Sequence, residues 1–402
     1  MKKFLTIVFV LSILSNNILS QVNPDMEKVK SIIKDVKEKF APDKRVAVFN
    51  IEVDQPEKKI ILKGETNLPE AKKELIKILD GEAIKFEDMI ELLPSKQLGE
   101  KIYGVINLSV SNIRTNPDHP AELSTQSLLG TPIKILKKGQ WGYYLVQTPD
   151  GYISWLDDDG FQMMNETEWN EWKKSEKIIY TNEFGWAYET EDIKSQHISD
   201  LVAGNLLRLL SQEKDFYQVE FPDKRIAYVL KSESEKFDEW YKKLNPIGED
   251  IIRTAYRFMG VPYLWGGTSA KGMDCSGFTK TVYFLNGIIL PRDASQQVHT
   301  GELVEIKNGW ENLQAGDLLF FGSKANGEKK ERITHVAIYI GDGDFIHASG
   351  RVRINSFNKT KPYYSEYRDN AFIRAKRILT SVGKNGIERI MDNDFYNVKT
   401  TD

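Results

Sequence analysis

The chain holds one cysteine, Cys275, and only five histidines among 402 residues. One cysteine excludes an internal disulfide framework. Such a leftover thiol is either a small core residue or a reactive group, and its surroundings decide between the two. Charge of one sign is also missing. The net charge of −3 gives no global attraction to nucleic acid or to anionic lipid, so neither is expected as a partner. No short internal repeat or low-complexity tract occurs, and beyond the first residues no apolar run is long enough to span a membrane. What remains is ordinary: 41% hydrophobic and 28% charged residues, in a length that suits two to four domains.

The N-terminus carries a compartment reading. Lys2 and Lys3 precede the apolar run Phe4–Leu14, which Ser15, Asn16 and Asn17 interrupt, and the small residue Ser20 lies just before Gln21. This pattern predicts a signal peptide over 1–20 and an exported protein, periplasmic or extracellular after cleavage.

Four regions follow. In 22–98, Met26, Val29, Ile32, Ile33, Val36 and Phe40 recur at helical spacing. Strand-like runs at Val46–Val53 and Lys59–Leu62 and a second helix, Pro69–Leu79 opened by Asn67, complete a small α+β domain with no catalytic constellation. In 100–175, runs such as Ile102–Asn107, Pro132–Lys137, Tyr143–Thr148 and Tyr152–Leu156 alternate with Gly, Pro, Asn and Asp, which predicts a small β-barrel. Residues 178–232 repeat that texture loosely, with Gly185–Tyr188 and the alternation Tyr217, Val219, Phe221. The last domain spans 246–380, and a polar tail, 383–402, is expected to be frayed or loosely docked.

The chemistry gathers in 246–380. A helix carrying Ile251, Ile252, Ala255, Phe258 and Met259 stops at Gly260-Val261-Pro262. The loop Tyr263-Leu264-Trp265-Gly266-Gly267 leads to Asp274-Cys275-Ser276-Gly277, after which Phe278, Val282 and Leu285 mark one helix face. Cys275 therefore falls in the first turn of a helix, with Asp274 as N-cap. There the helix dipole favours the thiolate, and unpaired N–H groups can face an oxyanion. Downstream, His335-Val-Ala-Ile-Tyr-Ile and Asp344-Phe-Ile-His347 flank Gly341-Asp342-Gly343 and read as a hairpin. A two-residue turn would pair His347 with Ile338 and point the two imidazoles to opposite faces. A three-residue loop, Gly341 to Gly343, pairs His347 with Ala337 and sets both rings on one face, which permits His335 as base and His347 as its orienting group. Asp293 and Gln296 in Pro291-Arg292-Asp293-Ala294-Ser295-Gln296 form a capping-box pattern that leaves room for a second role at the carboxylate.

Together, Tyr263-x-Trp265-Gly-Gly, Asp274-Cys275-Ser276-Gly277, Pro291-Arg292-Asp293, Ala315-Gly316-Asp317 and His335-Val-Ala-Ile-Tyr-Ile-Gly resemble the NlpC-type family of cell-wall cysteine peptidases. The resemblance implies a papain-like α+β fold without metal or organic cofactor, and a triad of Cys275, His335 and His347. The segments before it resemble paired bacterial SH3-like barrels, and the whole is similar to the YkfC-type subgroup. Its members cleave γ-D-glutamyl–L-diamino acid bonds in murein stem peptides with a free N-terminal L-alanine, with the first barrel closing one end of the cleft. The resemblance implies that Asp293, Glu122 and Tyr152, with Tyr143 or Tyr144 as alternatives to the last, hold the ammonium. Tyr263, Trp265, Asp274 and Ser276 are the other expected substrate-binding residues. Ala294 stands where the pattern expects a serine. The alternatives are an endopeptidase acting on intact peptidoglycan and, from another class, a non-catalytic wall-binding adaptor. The filled triad positions argue against the adaptor.

Overall fold

The computed structural model describes residues 24–56, 59–306 and 309–397. The predicted signal peptide lies outside them. Among the described residues no helix is long and apolar enough to cross a membrane.

The first helix, Pro24–Phe40, has Asp25 and Glu27 in its first turn and Lys37 and Lys39 in its last, both matched to the helix dipole. It buries Val29, Ile32, Ile33 and Val36. The second, Pro69–Gly81, buries Ala71, Leu75 and Leu79. Leu68 rather than Asn67 holds its cap position, and Pro69 starts the first turn, where its missing N–H costs nothing. Strands Phe49–Asp54 and Ile60–Thr66 pair antiparallel, and a third, Phe86–Leu92, extends the sheet. That third strand is absent from the sequence reading because FEDMIEL has one buried residue, Ile90, and no apolar alternation.

These elements form one compact unit, residues up to Pro42 plus Phe49–Glu91. The other unit comprises everything from Leu92 onward and, in addition, Asp43–Val48. The sequence reading placed Val46–Val48 in the first strand of the N-terminal domain. Instead Val48 is buried with Leu93, Leu136, Leu145 and Ile153, and the Ile153 N–H donates to the Arg45 carbonyl at 2.6 Å.

Within this second unit, seven strands between Tyr103 and Met164 form one antiparallel sheet around Ile106, Ile113, Ile133, Ile135, Tyr144, Val146, Leu156 and Phe161. Seven more between Lys177 and Lys236 form another. The peptidase sheet has six strands, in the spatial order Glu302–Val304, Phe372–Arg377, Leu318–Ser323, Arg332–Gly341, Asp344–Ser349, Arg351–Ser356. Its side chains alternate between two apolar layers. Leu318, Phe320, Val336 and Ile338 pack on the helix Cys275–Phe284 through Phe278 and Val282, while Leu319, Phe321, Ala337 and Phe345 fill the opposite layer.

The tail differs from its expected looseness. Glu388–Arg389 pairs with Ile288–Ile289, and Ile387, Ile390 and Phe395 are buried, so apolar residues spaced through a polar stretch dock it as far as the described residues reach.

Candidate active site

Asp274 caps the helix Cys275–Phe284, accepting the Gly277 N–H at 2.7 Å, so Cys275 is the first helical residue. The same carboxylate accepts the Gly266 N–H at 3.0 Å and is gripped by Arg292, at 2.6 Å from Nη2 and 3.1 Å from Nη1. Arg292 is only 1% exposed. It also donates to Ser276 Oγ at 3.1 Å and, through Nε, to Thr125 Oγ1 at 2.9 Å. The Pro291-Arg292-Asp293 and Asp274-Cys275-Ser276 motifs are thus two halves of one buried ion pair, tied to the preceding sheet at Thr125. Two glycines make room for it. A side chain on Gly266 would meet the Leu123 carbonyl, and one on Gly277 the Gly267 carbonyl.

The sulfur is buried. Burial, then the neighbouring Asp274 charge, pushes the Cys275 thiol up to about 11, against hydrogen bonds from the backbone N–H groups of Val336 and Ser276. Val336 directly follows His335, so the strand that carries the histidine meets the thiol through the backbone of the next residue, while the His335 ring lies beside Phe321. His335 Nε2 lies 2.7 Å from His347 Nδ1. The rings share a face, as the hairpin argument requires, but the turn differs. Gly341 pairs with Asp344 around a two-residue turn, Asp342-Gly343, with φ of 50° and 78°. Two left-handed residues suit that tight turn. A bulge between Tyr339 and Gly341 takes up the extra residue, and Ile338 pairs with Ile346, which sets His347 opposite Ala337.

Asn355 completes the chain and was missed from sequence, where nothing in Arg353-Ile354-Asn355 distinguishes it. Its Nδ2 donates to the Tyr363 carbonyl at 2.9 Å, which turns Oδ1 toward His347 Nε2, also at 2.9 Å. His347 Nε2 must then carry hydrogen, His347 Nδ1 must accept from His335 Nε2, and His335 Nδ1 is left with a lone pair. Burial, then the neighbouring His347, holds His335 well below its ordinary value; burial takes His347 to about 3 against the Asn355 hydrogen bond. Thiol and imidazoles rest neutral.

A cleft of about 710 Å3 opens over Cys275, and every expected substrate-binding residue lines it: Glu122, Tyr152, Tyr263, Trp265, Asp274, Ser276 and Asp293. Trp265 is 62% exposed and donates from Nε1 to Glu122 Oε1 at 2.5 Å. Tyr152 Oη donates to Asp293 Oδ2 at 3.4 Å. Tyr143 is buried against His119 and Tyr144 against Phe161, so neither alternative to Tyr152 reaches the cleft. Asp274 and Ser276 are corrected in role. Protein donors hold both Asp274 oxygens, and Ser276 Oγ is spent between Asp274 and Arg292, so these side chains position the nucleophile. The sequence expected Glu122 and Asp293 as two carboxylates awaiting a cation. Asp293 already has one, because Arg45 Nη1 lies 2.7 Å from its Oδ2.

A cysteine at a helix start, against the strand of a hairpin that carries a buried histidine pair, under a cleft lined in part by a small β-sheet, defines a cysteine peptidase of the cell-wall type. Residues 260–374 match the NlpC/P60 family and residues 113–161 the bacterial dipeptidyl-peptidase Sh3 domain. A gamma-D-glutamyl-L-lysine dipeptidyl-peptidase of Bacillus cereus is 35% identical over 258 residues, 61% of this chain and 74% of that protein. Dipeptidyl-peptidase 6 of Lysinibacillus sphaericus is 28% identical over 271 residues, 65% of this chain and 94% of that protein. The crystal structure of an NlpC/P60 family protein from Bacillus cereus aligns with a TM-score of 0.59 at 26% identity, covering 69% of this chain and 99% of that one. This chain belongs to the NlpC/P60 family.

Proposed function

We propose that this peptidase hydrolyses the γ-D-glutamyl–L-diamino acid bond of murein stem peptides, acting outside the cytoplasm on fragments that begin with a free L-alanine. Cys275 is the nucleophile, His335 the base and His347 its orienting partner. The observation that carries the reading is the directed chain Asn355–His347–His335, which ends at the strand lying on the Cys275 sulfur.

The resting pair is neutral, so the thiol proton passes to His335 Nδ1 as sulfur attacks the γ-carbonyl carbon of D-glutamate. The carbonyl oxygen takes the negative charge at the positive, N-terminal end of the Cys275–Phe284 helix. As the C–N bond breaks, His335 returns that proton to the departing diamino acid amine. Water then attacks the thioester with His335 again as base, which releases the L-Ala-γ-D-Glu acid and restores the thiol. Glu122, the strand residues Leu123 and Ser124, and Tyr152 in the cleft wall favour a short, open-ended substrate over a continuous wall strand.

Incubation with L-Ala-γ-D-Glu-L-Lys and its meso-diaminopimelate analogue, followed by mass spectrometry, tests this. The expected products are L-Ala-γ-D-Glu and the free diamino acid, with no turnover by folded Cys275→Ala protein. Cleavage at another bond, or turnover by that variant, overturns it.

A further inference from the structure

Arg45 lies 248 residues before Asp293 in sequence, yet it lines the same cleft as Cys275. Its backbone is fastened by the Ile153 N–H, and Val48 anchors the same short segment in the apolar layer beneath. Its guanidinium is fastened as firmly. Asp43 takes Nε at 2.8 Å and Nη2 at 2.7 Å, and Asp43 is itself held by Gln296 Nε2 at 2.8 Å. Nη1 donates both to Asp293 Oδ2 at 2.7 Å and to Ser295 Oγ at 2.9 Å. Four of the five guanidinium N–H bonds therefore have protein acceptors. A group so occupied is poorly suited to clamp a substrate carboxylate. It is built as a fixed counter-ion, with its positive end turned to Asp293. On the other side of that carboxylate, Arg292 Nη1 stands 3.9 Å from Oδ1.

From this we infer that Arg45 is a specificity-determining residue: it pre-neutralises Asp293 and so sets how strongly the cleft prefers a free amino terminus over a blocked one. An ammonium arriving at Asp293 meets a guanidinium already bonded to the same carboxylate, and loses part of the attraction that an unmatched acid would supply. Glu122, with Trp265 on one oxygen, is left as the more available acid. Acylated ends, which bring no charge, lose nothing by the presence of Arg45. The cleft therefore tolerates blocked stem peptides better than its two acids alone would allow, and the segment Asp43–Val48 supplies the tolerance.

The inference rests on the stem-peptide reading above, so its test separates the two. Binding of L-Ala-γ-D-Glu and of its N-acetylated copy is measured by calorimetry on Cys275→Ala protein, which needs no turnover, with Arg45 intact or replaced in Arg45→Met and Arg45→Lys. The expected result is a ratio of affinities, free over acetylated, that rises about tenfold or more in Arg45→Met, equal to about 1.4 kcal/mol, and stays within about threefold of the parent in Arg45→Lys. A purely structural role would weaken both peptides alike and leave the ratio unmoved. An unmoved or falling ratio, or failure of both peptides to bind, overturns the role of Arg45. A ratio that moves in a protein whose parent does not cleave the γ-glutamyl bond overturns the reaction and leaves Arg45 as a selector of peptide ends.

Discussion

Replacing Arg292 by methionine strikes the ion pair beneath the nucleophile. The side chain is 1% exposed and supplies four hydrogen bonds, two to Asp274 and one each to Ser276 and Thr125. Methionine keeps much of the volume, so a cavity is not the main loss. The loss is the buried Asp274 carboxylate, left with only the Gly266 and Gly277 N–H groups and Ser276. Breaking such a pair from one side costs about 3–5 kcal/mol. In a unit of this size that lowers Tm by on the order of 5–10 °C. Asp274→Asn in the same protein removes the stranded charge, so the double variant recovers at least about 1 kcal/mol relative to the sum of the single losses. Urea denaturation followed by the fluorescence of the eight tryptophans reads all four corners of the cycle. A loss below about 1 kcal/mol in Arg292→Met, or strict additivity of the two substitutions, would refute the claim that this pair holds the two motifs together.

Other outcomes follow from the histidine chain. Asn355→Ala removes the acceptor that fixes the His347 tautomer; kcat is expected to fall about tenfold with KM little changed, and an unchanged kcat argues against the directed chain. Because His335 is held below its ordinary value, kcat/KM should stay flat as pH falls past 6.5 and decline only at more acidic pH. Asn355→Asp places a carboxylate on His347 and should move that decline upward; a wild-type decline centred at or above 6.5 contradicts the neutral pair. Stability should follow the same sign. His347 titrates near 3 when folded and about 6.5 when unfolded, so only the unfolded chain gains the proton between these values. Its contribution is complete above about pH 6.5 and erodes by about 2 kcal/mol by pH 5, and His347→Gln should make the fall between pH 6.5 and 5 shallower by that amount.

Local signals made the chemistry readable. A lone cysteine between an N-cap and an apolar helix face, and two histidines around a glycine turn, are patterns of short range, and their geometry follows from helix and strand periodicity. The register of His347 emerged even though the turn type did not, because a bulge and a two-residue turn displace the strand by the same count as a three-residue loop. What escaped has no local signature. Arg45 belongs to a stretch, Asp-Lys-Arg-Val-Ala-Val, that reads as the start of a strand; its destination is set by Val48 and Ile153 packing across a long chain separation. Arg292 was visible only as part of a motif, and its partner Asp274 read as a cap and a substrate ligand, because burial of an ion pair cannot be read from spacing. The apolar residues Ile387, Ile390 and Phe395 are too widely spaced among polar neighbours to announce a docked segment.

The excursion of Asp43–Val48 also bears on how the molecule can be cut down. A chain shortened to begin near Leu92 would keep the cysteine, both histidines and both seven-stranded sheets. It would nevertheless be a different catalyst, with Asp293 stripped of its guanidinium, the Ile153 N–H without its acceptor, and a hole where Val48 had been. Trimming at the visible end of the N-terminal helix-and-strand unit is therefore an edit to the substrate cleft, made without touching a residue of the peptidase domain.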